Sequence, residues 1–202
     1  KVRIKLDSSQ QAIAQNRAVD AITKMKSSDS AIHGTVAELA SVPDKYSMAL
    51  ETAAGRSLFN VVVDDDRVAV KYINFLREKR VGSATFLPLN KVNAKYRLDD
   101  SVLNKPGVVD YALNLINYDS RYENIFHLIF GDLLVIENIE YAKNIGIGRY
   151  KMITLDGDLV AKSGAMSGGF KARKQSIGLF KDDKLTDKSA AIEDKLSRLS
   201  NT

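Results

Sequence analysis

The residues of this chain that could do chemistry are few, and their spacing argues against most of the chemistries they would support. His33 and His127 are the only imidazoles in 202 residues. Nothing in the sequence brings them together, so each is read as a solvated or hydrogen-bonded side chain. The triplet Asp64-Asp65-Asp66 has the composition of a magnesium site, but adjacent side chains do not converge on one ion without help from elsewhere. Three carboxylates ahead of a helix instead complement its N-terminal dipole. Gly146-Ile147-Gly148 looks like part of a dinucleotide loop, yet it follows a helix and precedes a strand, the wrong order for a pyrophosphate on a helix N-terminus. There is no GxxxxGK[ST] segment for an ATPase and no nucleophile elbow. Zero cysteines exclude disulfides, thiolate zinc sites and cysteine nucleophiles. The sequence therefore assigns no catalytic residue, no metal ligand and no cofactor.

A different signal lies at Ser163-Gly164-Ala165-Met166-Ser167-Gly168-Gly169-Phe170. Glycines packed this closely, with no Lys-Ser/Thr after them, remove side chains where another backbone must approach. The expectation is an assembly surface made by Gly164, Met166, Gly168 and Gly169. Lys171, Arg173 and Lys174 follow directly, with Phe170 beside them, and Lys24 and Lys26 end the first flanking helix. Cations so placed either contact nucleic-acid phosphates without reading sequence or sit solvated in loops. The 30 Lys and Arg against 25 Asp and Glu leave a net charge of +5, which permits a nucleic-acid partner without establishing one.

The elements that must position these residues follow from periodicity. The 45% hydrophobic content supports a real core. No apolar run approaches the roughly 18 residues a membrane span needs, and no leader pattern is present, so the expectation is a soluble intracellular module. Residues 8–28 place Ala12, Val19, Ile22 and Met25 at helical spacing. Leu185, Ser189, Ile192, Leu196 and Leu199 form a heptad seam. The two segments are either ordinary surface helices or stumps of an antiparallel coiled coil.

Between them, Thr35-Val36-Ala37-Glu38 is a capping-box pattern opening a short helix that stops near Pro43. A helix over 45–54 ends at Gly55 with a left-handed cap. A strand over 58–63 precedes a helix in which Val68, Ile73 and Leu76 face inward, and a strand over 83–87 is closed by Pro88. The polar stretch 90–105 reads as a linker.

After it the pattern returns: Tyr122 precedes Gly131 by the spacing at which Tyr46 precedes Gly55, and Leu133–Ile136 matches Val61–Val63. Asp64-Asp65 to Ala69 is echoed by Glu137-Asn138 to Ala142. The reading is a degenerate internal duplication, although any alternating α/β chain offers such matches. Two similar halves can join first half to second half, twice, around a two-fold axis. Leu155-Asp156-Gly157-Asp158-Leu159 is a two-residue hairpin signal. It delivers the strand 159–162 into Gly164, at an unpaired edge.

Several motifs together resemble the hinge domain of SMC proteins, the chromosome-organising ATPases with long coiled-coil arms, most closely those of archaea and bacteria. They are His33-Gly34-Thr35-Val36-Ala37-Glu38-Leu39, Asn60-Val61-Val62-Val63, Ala84-Thr85-Phe86-Leu87-Pro88-Leu89-Asn90, Gly131-Asp132-Leu133-Leu134-Val135-Ile136 and Ser163-Gly164-Ala165-Met166-Ser167-Gly168-Gly169. The resemblance implies a mixed α/β (α+β) fold of two pseudo-symmetric halves, each a small sheet with packed helices. Two antiparallel coiled-coil stumps flank it. The divisions expected are an N-terminal arm over 1–30, subdomain I over 31–90, a linker over 91–106, subdomain II over 107–175 and a C-terminal arm over 176–202.

It also implies a homodimer joined through the glycine run and weak DNA affinity near the arm exits. Other complex subunits would meet the parent protein through ATP-binding head domains, and it would be cytoplasmic and nucleoid-associated. No ATP motif is present in these 202 residues. The alternative is an α/β small-molecule or nucleotide-binding enzyme using the crevice between two halves.

Overall fold

The computed structural model describes residues 17–169 and 180–182. The packing of the chain divides them into two units whose segments interleave. One draws on residues 17–39, Arg56–Lys95 and Asp119–Ile129, the other on Ala40–Gly55, Tyr96–Tyr118 and the described residues from Phe130 onward.

In the first unit, β1 (Ile32–Thr35), β3 (Val61–Val63) and β4 (Phe86–Pro88) form a sheet in the order β1-β3-β4. β1 is antiparallel to β3 and β4 is parallel to it. The Val61-Val62-Val63 strand is wholly buried, as a central strand covered on both faces must be. α3 (Asp66–Lys79) opens where Asp65 caps it, its Oδ1 accepting from Val68 N at 2.9 Å. Ala69, Tyr72 and Leu76 of α3 pack with Ile32, Val61 and Val63. Ile73, expected to face this core, is 41% exposed. It lies about 100° around the helix from Tyr72 and falls off the stripe that Ala69, Tyr72 and Leu76 set. Ala18, Val19 and Ile22, on a helix α1 over 17–23, belong to the same core. Ala12 and the C-terminal heptad seam lie outside the described residues.

In the second unit, β5 (Val108–Tyr111), β7 (Leu134–Ile136), β8 (Met152–Thr154), β9 (Leu159–Val160) and β10 (Met166–Ser167) form a sheet in the order β10-β9-β8-β7-β5. β2 (Ala40–Val42) pairs with β6 (Asn117–Tyr118) and β11 (Lys181–Asp182) in a smaller sheet. The capping-box segment makes only a 3-10 turn, Val36–Leu39, with Glu38 Oε2 accepting from Thr35 N at 3.2 Å, before β2 begins. Within the stretch read as a linker, Val102 is fully buried in the core with Tyr111, Leu134 and Met152, on a 3-10 turn Asp100–Asn104. A lone apolar pair among polar residues carries no period by which a sequence could reveal that burial.

The duplication is written in the backbone. β7 is flanked by antiparallel β5 and parallel β8 as β3 is flanked by β1 and β4, and the register slips once in each antiparallel pair, at Ile32/Gly34 and at Val108/Asp110. Asp64 N donates to Ala31 O at 3.1 Å and Glu137 N to Gly107 O at 2.9 Å. Val36 N donates to Asn60 O at 3.0 Å and Ala112 N to Leu133 O at 2.9 Å. Leu89 N reaches Val63 O at 2.9 Å and Leu155 N reaches Ile136 O at 3.1 Å. Each half keeps its sheet in one unit and sends its helix to the other: α2 (Asp44–Ala54) packs in the second unit, and most of α4 (Glu123–Phe130) in the first. The symmetry ends after β8, where the second half adds β9 and β10 and the first half leaves β4 as the sheet's last strand.

Candidate functional site

The glycine run is carried by a hairpin. β8 and β9 are joined by Leu155-Asp156-Gly157, with Thr154 N donating to Asp158 O and Gly157 N to Thr154 O, both at 2.9 Å. The turn is thus a three-residue loop and not the two-residue one expected. A two-residue turn of the Asp-Gly kind needs positive φ at both residues, whereas here only Gly157, at +85°, has it. β9 then turns at Ala161–Gly164, where Gly164 N donates to Ala161 O at 2.9 Å, and returns as β10 antiparallel to β9. β10 is the terminal strand of its sheet, and its outer edge has no strand beside it among the described residues. Met166 is 50% exposed there.

The three glycines of the run serve different ends. Gly164 and Gly169 sit at φ +84° and +131°, with open space where a Cβ would lie. Their requirement is conformational. Gly168 has ordinary φ, but a Cβ there would run into the Asp158 carboxyl group, whose carbon lies 2.6 Å from that position. Asp158 Oδ1 also accepts from Gly169 N at 2.9 Å, and Thr154 Oγ1 bonds both to Asp158 N at 2.9 Å and to Asp158 Oδ2 at 3.3 Å. The close approach that the glycines allow within this chain is to a side chain, and sequence reading missed it. The Asp-Gly-Asp composition of the hairpin was the available signal.

Of the cations, Lys24 and Lys26 are exposed on a 3-10 turn, Lys24–Ser27, in the first unit. Lys26 Nζ reaches back to within 3.2 Å of the position a Cβ on Gly34 would take. Lys171, Arg173, Lys174 and Phe170 lie outside the described residues.

The polar clusters are spoken for. His33 Nε2 lies 2.7 Å from Asp64 Oδ1, and its Nδ1 lies 3.1 Å from Tyr122 Oη. His127 Nε2 is 3.7 Å from Glu123 Oε1. Asp65 caps α3, and Asp66 exchanges hydrogen bonds with Asn90, at 3.2 Å and 2.8 Å. No three His, Cys, Asp or Glu residues converge on a metal position among the described residues. Two buried-edge clamps recur. Asp29 takes Lys71 Nζ and Tyr72 Oη, both at 2.7 Å, and Asp99 takes Arg149 Nη2 at 2.9 Å and Tyr150 Oη at 2.6 Å. The Lys71 and Tyr72 hydrogen bonds hold the Asp29 carboxyl down to about 2. Those from Ser101 and Tyr150, with the Arg149 charge, do the same for Asp99. Burial pushes the Tyr122 hydroxyl up.

The family model that matches is that of the SMC proteins' flexible hinge domain, over residues 29–146, more than half of the chain. The chain belongs to the SMC hinge family. It is 44% identical over 171 residues to a chromosome partition protein Smc of Gloeobacter violaceus, covering 83% of this chain and 14% of that protein. A Pyrococcus furiosus Smc is 38% identical, over 85% of this chain and 14% of its own length. The chain thus spans about a seventh of these curated relatives. Among solved structures, an asymmetric dimer of the Geobacillus stearothermophilus SMC hinge domain superposes with TM-score 0.74 at 28% identity, covering 98% of this chain and 86% of that one. The Pyrococcus furiosus SMC hinge domain gives 0.66 at 38% identity, over 80% and 84%. For an SMC hinge, the mixed fold of two small-sheet halves is the expected one. The features that stand out in this chain are the two strand edges and the anchored glycine run, and no helix among the described residues is long and apolar enough to cross a membrane.

Proposed function

We propose that this hinge joins two copies of its parent chain by setting the free edge of β10 in one copy beside the free edge of β4 in the other, twice around a two-fold axis. The observation that carries this reading is the broken symmetry of the duplication: the second half has two extra strands, and among the described residues the first half has no strand beside β4 where their counterparts would lie. Open edges of this kind are templates for pairing unless they are blunted. Thr85 and Leu89 bond inward to β3, so Phe86 and Pro88 hold the outward positions on β4. Pro88 is tolerated there but offers no N–H, and a strand paired on this edge would rest on the Phe86 N–H and the outward carbonyls. The Geobacillus relative was solved as a dimer, which supports the same reading.

Joined so, two parent Smc chains would act in chromosome partition in the cytoplasm, meeting other subunits through their heads. Lys24, Lys26, Lys171, Arg173 and Lys174 would give weak, sequence-independent contact with DNA phosphates.

The chain has no cysteine, so cross-links can be placed at will. A Thr85→Cys plus Ser167→Cys double variant, both positions exposed, should oxidise to a covalent dimer of about twice 22.3 kDa. A monomer band under the same oxidation would refute the pairing.

A further inference from the structure

We infer that Asp158 is a positioning residue for assembly: its carboxylate latches the Gly168-Gly169 end of β10 against the β8–β9 hairpin and so presents the outer edge of β10 already ordered. The inference rests on the dimer reading above and goes beyond it, since it concerns a side chain that is not itself on the free edge.

β10 has two residues, registered Met166 to Val160 and Ser167 to Leu159, and a strand this short is marginal by its ladder alone. Its start is tied by Ala161 N donating to Ala165 O at 2.8 Å. Its far end has one tie in the described chain, the 2.9 Å bond from Gly169 N to Asp158 Oδ1. Asp158 is itself held at three points by Thr154, which is fully buried. The latch therefore transmits the rigidity of the sheet's interior to its rim. Gly168 must lack a side chain because the carboxyl group occupies that space. Association onto an edge already fixed avoids part of the ordering cost that association onto a fraying one incurs.

The test is sedimentation equilibrium on the full 202-residue chain and three variants, with circular dichroism on each. Asp158→Ala should remain folded and raise the dimer dissociation constant about 10-fold or more, the scale of one lost hydrogen bond to a charged group. Asp158→Asn, which retains an acceptor for Gly169 N, should restore most of the affinity. Gly168→Ala should weaken the dimer through collision with Asp158, so Gly168→Ala combined with Asp158→Ala should be no weaker than Asp158→Ala alone. A wild-type monomer would overturn the dimer reading itself. A wild-type dimer with unchanged affinity in Asp158→Ala, or with additive losses in the double variant, would overturn the latch and leave the dimer standing. If Asp158→Ala unfolds, slower hydrogen exchange at Gly169 N in Asp158→Asn than in Gly168→Ala supports the latch, and equal exchange refutes it.

Discussion

Gly55 and Gly131 end helices from opposite halves of the duplication with nearly the same positive φ, +52° and +49°. At Gly55 the accompanying ψ is −128°, a region outside the left-handed helix and open to glycine almost alone. Each glycine closes a helix on the way to the central strand of a sheet, Gly55 by way of a 3-10 turn over Gly55–Phe59 before β3 and Gly131 with only Asp132 and Leu133 before β7.

Replacing either glycine by alanine should cost about 1–3 kcal/mol, the scale of backbone strain at such positions. The space around Gly55 is open, so the loss there would be conformational and not steric. Urea denaturation of Gly55→Ala and Gly131→Ala checks both, and unchanged midpoints would show that the turns relax.

How much of this was legible in the sequence varied with the kind of signal. Val61-Val62-Val63 and the helix ending at Gly55 announced themselves through an apolar run and a stop residue. The duplication showed through paired Tyr and Gly spacings, although its sheets proved more alike in hydrogen bonding than in residues. β2 and β6 were invisible, because two- and three-residue strands carry no period, and Val102 was hidden among polar neighbours. The glycine run was recognised as special, but whether a glycine answers to φ or to a crowding side chain depends on what folds against it. Only the structure separates Gly164 and Gly169 from Gly168.

Acid should loosen the first unit in part through Asp29. Its folded value of about 2 lies below the ordinary 3.8, so its contribution is present above about pH 4 and is lost as pH falls toward 2. Asp29→Asn should lower stability at neutral pH and flatten the fall in stability across that window. Because Asp99 is held down to about 2 as well, the flattening should be incomplete. Denaturation profiles at a series of pH values check this, and parallel profiles for variant and wild type would contradict it.

The DNA reading makes a separate prediction. Changing Lys171, Arg173 and Lys174 together to glutamate should abolish DNA binding while leaving the oligomeric state intact. In the wild type the logarithm of affinity should fall with the logarithm of salt with a slope of magnitude roughly 3 to 4. Single strands should bind better than duplex if Phe170 stacks on a base. Fluorescence anisotropy at several salt concentrations measures all three, and equal affinity before and after charge reversal would move the DNA surface elsewhere.

The central claim is that the free edge carrying Met166 is where a second copy docks. Met166→Glu tests it most directly, since the side chain is half exposed on β10, the terminal strand of its sheet. Sedimentation equilibrium at micromolar concentration should give about twice the 22.3 kDa chain mass for the wild type and the single-chain mass for Met166→Glu, with unchanged circular dichroism. A dimer of undiminished affinity in the variant would contradict the account.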